Sequence, residues 1–277
     1  MQRFENSYCQ LDKTKMKRQT IYIFFLFSLS VISSCKKTKV DSSFDNNIKI
    51  KMTETVDSVK RILSLHCYTE KIFECSNYGI EATYTLTNDK ITINFIKIIV
   101  PNICLASLGP ASATINLNGL TNKTYEIELN FGTNKITGQI NVTSGSFVTT
   151  LPTQTKVQFV NPDLKRVPSN TIYGTVHYHS ASTSSIVQKF IDTLQLYGAT
   201  PRLYPQGDYG PFEIEPNGQI KQTQDLGYYL TRYYIFNDSG NSAQLRDLVK
   251  RFGINYGNLL IITLNTTKGE IFYSWTQ

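Results

Sequence analysis

His177-Tyr178-His179 is the first place in this chain where residue types and spacing suit chemistry. Side chains two apart on a strand share a face, and two imidazoles so placed can reach one metal ion. Ile172, Val176 and Tyr178 occupy the opposite, core-facing side, which leaves Tyr173, Thr175, His177 and His179 outward. Phe212 and Ile214 pointing inward put Glu213 and Glu215 outward by the same rule. Tyr173, His177, His179, Glu213 and Glu215 are therefore the candidate ligand face, with a solvated polar sheet surface as the alternative. Alternation supplies neither strand order nor distances, so no metal is assigned. Asp192, Asp208, Glu213 and Glu215 have the chemistry of general acids and bases, but isolated carboxylates carry no geometry, and no catalytic residue is assigned. The chain has no Gly-x-Ser-x-Gly elbow, His-Glu-x-x-His helix, Walker loop or EF-hand loop. The expectation is a non-catalytic protein without a cofactor.

Aromatic rings with polar tips supply a second kind of candidate. Tyr228, Tyr229, Tyr233, Tyr234 and Phe236 crowd one segment, and Tyr204, Tyr209 and Phe212 precede it. Such rings suit sugar or peptide faces, yet they are also strand formers, and core packing is the favoured reading.

The elements that must position these residues fall into two parts, making an α+β chain. From Ile80 to Val160 the pattern has period two: Tyr125, Ile127 and Leu129 alternate with Glu126, Glu128 and Asn130, and Ile136, Ile140 and Val142 with Gln139 and Asn141. Asn88-Asp89, Asn118-Gly119, Gly132-Thr133-Asn134 and Ser144-Gly145 punctuate the runs with turn chemistry. About seven short strands at this spacing predict an antiparallel β-sandwich over 59–164. Ile96, Ile98, Ile99 and Val100 break the alternation, as a strand covered on both sides or a bulge before Pro101 would. Val59, Ile62, Leu63 and His66 sit at helical spacing just upstream.

Residues 165–277 change period. A strand at Ile172–His179, a helix at Ser185–Tyr197 and two strands within Arg202–Ile220 around Pro205-Gln206-Gly207-Asp208 are followed by the same order again. The second set is Tyr228–Phe236, Ala243–Phe252 and Leu259–Trp275 with a turn at Thr267-Lys268-Gly269. Ile186, Phe190, Ile191, Leu194 and Tyr197 form one apolar helical stripe, and Leu245, Leu248, Val249 and Phe252 the other. Gly198 and Gly253 stand at matching helix exits. The reading is a duplicated β-α-β-β unit. It resembles in topology the SPOR domains that bind bare peptidoglycan glycan. The resemblance implies glycan binding, and it covers only element order, so no residue roles are carried over.

The N-terminus provides an address. Lys13, Lys15, Lys17 and Arg18 precede an apolar run, Ile21 to Ser34, of fourteen residues that include four serines, whereas a spanning helix needs about 20 mainly apolar ones. The run ends at Ile32-Ser33-Ser34-Cys35, followed by Lys36-Lys37-Thr38-Lys39. This resembles the signal of a bacterial, Bacteroidota-type lipoprotein. The resemblance implies cleavage before Cys35, acylation of that thiol and an outer-membrane address, since lysine rather than aspartate follows the cysteine. The acidic residues that often mark surface display are missing, which favours the periplasmic face. Residues 1–34 are read as the signal, with Met16 as the expected start and 1–15 untranslated, and the polar stretch 35–58 as a tether.

Removing 1–34 takes five of the 28 Lys+Arg and two of the 21 Asp+Glu, so the formal charge falls from +7 to +4. No basic stripe remains to neutralise a row of phosphates, which excludes nucleic acid as an expected partner. The expected partners are the membrane, through the acyl chains, and envelope glycan or another envelope protein. Beyond Cys35 stand Cys67, Cys75 and Cys104, an odd number in an oxidising compartment. A Cys75–Cys104 bridge with one spare thiol and three buried free cysteines are the two readings. Radiolabelled palmitate should enter the chain and be lost with Cys35→Ala; a chain that stays unlabelled with its first 34 residues attached would contradict the signal reading.

Overall fold

The computed structural model describes residues 46–56, 60–152, 156–222, 230–238 and 241–275. The signal, Cys35, most of the expected tether, Val59, Tyr228 and Tyr229 lie outside them. No helix among the described residues is long and apolar enough to cross a membrane.

A strand, not a tether, occupies Ile48–Val56 (β1). Ile48, Ile50 and Met52 are buried while Lys49, Lys51 and Thr53 alternate outward. Three apolar residues at every second position bury one face even where average composition is polar. The helix expected around Ile62 is likewise a strand, Arg61–Phe73 (β2), paired antiparallel with all of β1. Ile62, Leu63 and His66 fit a helical period over so short a run, whereas Leu63, Leu65 and Cys67 fit a strand, and pairing with β1 decides for the strand.

Seven further strands follow: Gly79–Leu86 (β3), Lys90–Ile99 (β4), Gly109–Leu117 (β5), Thr124–Phe131 (β6), Asn134–Val142 (β7), Ser146–Thr150 (β8) and Val157–Phe159 (β9). Asn88-Asp89, Asn118-Gly119, Gly132-Thr133 and Ser144-Gly145 all lie in the links between them. The broken alternation in β4 is a bulge: Glu81 pairs with Lys97 and Ala82 with Phe95, which leaves Ile96 extra and exposed.

After Asp163–Lys165 (β10), the pair Gly207–Asp208 (β12) and Glu213–Ile214 (β13) completes a twelve-stranded sheet in the order β13-β12-β10-β8-β7-β6-β4-β3-β5-β2-β1-β9. Most pairings are antiparallel, but β4–β6, β3–β5, β1–β9 and β10–β12 run parallel. The sheet curls. Nine intervals separate β10 from β9, about 43 Å if flat. Only Val160, Asn161 and Pro162 join them along the chain, a reach of about 14 Å. Apolar side chains from β1 to β10 accordingly form one cluster inside the curl.

Side chains close the seam. The Asn161 amide accepts from the Met52 N–H (2.7 Å) and donates to the Met52 carbonyl (2.8 Å) and to Asp208 Oδ2 (3.0 Å). Glu54, its side chain fully buried, accepts from Arg166 Nε (2.8 Å) and Arg61 Nη1 (3.1 Å). Arg166 also donates to the Thr143 carbonyl (2.9 Å) and lies 4.9 Å above the Phe147 ring.

The second sheet holds Thr171–Tyr178 (β11), Leu230–Asn237 (β14), Leu260–Thr266 (β15) and Ile271–Tyr273 (β16) in the order β14-β11-β15-β16. Helices Ser184–Leu196 (α1) and Ser242–Tyr256 (α2) lay the predicted stripes, Phe190 and Leu194 in one and Leu245, Leu248, Val249 and Phe252 in the other, against Ile172, Val176, Tyr234 and Ile262. Asn241 caps α2 by accepting from the Gln244 N–H.

Strand, helix and two strands do recur in chain order, with two differences from the sequence reading. Gly198 leaves α1 at a φ of 93°, but Gly253 lies inside α2, where a Cβ would stand 1.9 Å from the Ser274 carbonyl oxygen. The glycine there serves close approach, not exit. Gly207-Asp208 is strand rather than turn, and its hairpin joins the large sheet through β10 while β15–β16 stays in the small one. Val167, Tyr204, Tyr209, Phe212 and Ile214 then pack with Ile235 of the small sheet. The described residues on both sides of the 164/165 boundary consequently belong to one compact unit.

Removing Glu54 leaves two arginines facing a buried vacancy. Glu54→Ala should lower the unfolding free energy by about 3 kcal/mol, read from the urea midpoint at constant m-value.

Candidate functional site

β14 is an edge strand, and its alternation fixes what its outer edge offers. The N–H and C=O groups of Tyr233, Ile235 and Asn237 point away from β11. Asn237 exchanges both bonds with the Thr200 backbone, at 3.0 and 2.9 Å. At Tyr233 a side chain replaces a strand: Gln222 Oε1 accepts from the Tyr233 N–H (2.9 Å) and Gln222 Nε2 donates to its carbonyl (3.0 Å). Between them, the Ile235 N–H and C=O have no partner among the described residues.

This open position lies in a groove of about 580 Å³. Its floor is β14 from Arg232 to Phe236, one wall is Gln188, Ile191 and Gln195 of α1, and the other is the 201–222 segment with Arg202, Leu203, Glu215 and Gln219. Hydrocarbon flanks a donor–acceptor pair, with two arginines, one carboxylate and several amides at the rim. Such a lining binds by hydrogen bonding and contact.

Of the five residues of the predicted ligand face, only Glu215 lines this groove. Tyr173 is half-buried with its ring 5.2 Å from that of Phe212, and burial raises its hydroxyl pKa. Both His177 ring nitrogens meet threonine hydroxyls, Nδ1 that of Thr231 at 2.8 Å and Nε2 that of Thr175 at 3.2 Å. His179 is exposed, one residue past the end of β11. Glu213 pairs with Lys221 Nζ at 2.7 Å on a hairpin of the other sheet. The outward directions follow the sequence rule, but the two pairs stand on different sheets. Among the described residues, no group of three His, Cys, Asp or Glu could hold a metal ion.

The remaining candidate acids have structural partners. Asp208 accepts from Asn161 and from the Gly210 N–H (2.6 Å), and Asp192 from Gln188 Nε2 (2.8 Å). Hydrogen bonds from Lys135, Lys90 and Asn130 pull the Glu128 pKa down to about 2, which makes it a permanent anion tying β4, β6 and β7. Tyr204, Tyr209, Tyr234, Phe212 and Phe236 are buried, as core packing requires, and burial pushes Tyr209 up to about 12. Tyr233 stays half-buried at the groove.

Cys75 and Cys104 are joined in a disulfide with their Cα atoms 5.2 Å apart. Cys67 is free and buried, and desolvation pushes its thiol up to about 12. It is a small core hydrophobe, not a nucleophile.

Gln188, Ile191 and Gln195 could have been found by their helical spacing. Gln222 and Ile235 carry no sequence signal, because an edge exists only once strands are ordered. Compared with known proteins, the chain matches no family model, no curated sequence and no solved structure.

The Gln222 amide protects one rung of this edge. Gln222→Ala should speed hydrogen exchange at the Tyr233 amide by about tenfold and leave Asn237, paired with Thr200, unchanged.

Proposed function

We propose that this chain is a non-catalytic binding protein of the cell envelope, acylated at Cys35, held at the outer membrane on its periplasmic side, with its ligand in the groove along β14. The open rung at Ile235, between two filled ones, carries the ligand assignment. Gln222 demonstrates that a lone amide fits this edge, since it fills the neighbouring rung with one acceptor and one donor. The fitting ligand therefore presents a secondary amide, with apolar surface for Ile191 and Leu203 and polar groups for Arg202, Arg232 and Glu215. Peptidoglycan offers such amides in its acetamido sugars and peptide stems, and an extended segment of another envelope protein offers them along its backbone.

The recurring strand-helix-hairpin order supports a duplicated, SPOR-like origin for 165–277, with the first hairpin diverted into the large sheet. The single apolar cluster inside the curl supports reading 59–164 as a sandwich made by folding one sheet over. Three of the four candidate acids are engaged elsewhere, Glu213 by Lys221, Asp208 by Asn161 and the Gly210 N–H, and Asp192 by Gln188, which supports binding over catalysis.

Purified sacculi should pellet the protein, and N-acetylglucosamine oligomers should compete. Gln219→Trp, which fills the groove from an exposed position, should weaken retention by about tenfold or more. Protein that stays in the supernatant would remove the glycan as ligand.

A further inference from the structure

The link between β4 and β5, residues 100–108, displays apolar side chains on a backbone that is firmly held. Cys104 is bonded to Cys75, and the Asn77 amide donates to the Ile103 carbonyl (2.7 Å) and accepts from the Leu105 N–H (3.1 Å). The Ser107 N–H closes a tight turn onto the Leu105 carbonyl at 2.7 Å. Even so, Ile103 is 78%, Leu108 75% and Leu105 56% exposed, and Ile72, Ile99 and Val100 are about half exposed beside them. No charged residue occurs from Ile98 to Asn122. Scattered surface leucines need no explanation, but a contiguous, braced apolar patch marks an interaction surface.

Strand register shows where this patch faces. Ile48 opens β1 opposite Thr69, β2 then runs on to Ile72 and Phe73 opposite Pro110 and Gly109, and Gly79 opens β3 opposite Ile99. The 100–108 loop thus leaves the end of the sheet at which β1 begins. Twelve residues lie between Cys35 and Ile48, a reach of at most about 45 Å. An acyl chain on Cys35 would therefore hold the start of β1, and the loop at the same end of the sheet, within that reach of a bilayer.

We propose that loop 100–108 inserts Ile103, Leu105 and Leu108 into the boundary between lipid headgroups and acyl chains, fixing how the folded part stands on the membrane. The inference rests on acylation of Cys35. Charge around the loop is balanced, with Lys49 paired to Glu70 and Lys97 to Glu81, so insertion is driven by apolar area and is insensitive to salt.

The full acylated chain carrying Trp275→Phe and Leu105→Trp, reconstituted in phosphatidylcholine vesicles, reads the insertion directly. Its fluorescence should fall about twofold or more when the acyl chains are brominated, at low and high salt alike. Adding Ile103→Ser and Leu108→Ser, both at exposed positions, should relieve most of that quenching. Palmitate incorporation without quenching would overturn the insertion and leave the anchor standing, and so would cross-linking from position 105 to a protein instead of lipid in intact cells. Absence of palmitate would overturn both.

Discussion

Nine strand intervals lie between β10 and β9 around the large sheet, yet three residues join them through the chain, and everything else in the molecule accommodates that closure. The two edges meet through side chains. Asn161 supplies one rung to Met52, and the buried Glu54 draws in Arg61 and Arg166. Burying three charges is costly, and their attraction offsets the cost only while all three are present. The cluster is better understood as fixing which edges meet than as a large store of stability.

The same device recurs in three places. Asn161 brackets Met52, Gln222 brackets Tyr233, and Asn77 brackets the backbone on either side of Cys104. In each case one side-chain amide satisfies a main-chain donor and acceptor that no neighbouring strand reaches. Exposed strand edges are sticky, and short polar plugs blunt them without building another strand. The Ile235 rung stands out because its neighbours are plugged and, among the described residues, it is not. Closure also places the groove: Asp208 is tied to Asn161, which directs β12–β13 into the large sheet, and Tyr209, Phe212 and Ile214 of that hairpin then pack against Ile235. One wall of the groove is in this way held by the seam.

Local periodicity and turn chemistry were legible wherever they decide structure within one element. The alternation through β6 and β7, the reversals at Gly132 and Ser144, and the stripes of α1 and α2 follow from side-chain direction over a few residues. β1 was hidden because the polar stretch around it masks the alternation of Ile48, Ile50 and Met52, and β2 because a short run fits both periods. Gly253 was misread because a helix exit and a close contact ask for the same residue. The histidines and glutamates pointed outward as expected but were separated, since the face a side chain takes is local and the sheet it belongs to is not.

The sequence by itself determined the α+β composition, the apolar faces of most elements and most turn positions, all consequences of neighbours along the chain. Tertiary structure decided the order of the twelve strands, the diversion of β12–β13, the Cys75–Cys104 partnership and the open rung at Ile235. Those depend on residues more than a hundred positions apart meeting at one edge, Met52 and Asn161 among them. No local pattern encodes that distance, because a hydrogen-bonding group carries no mark of which partner closure will bring to it.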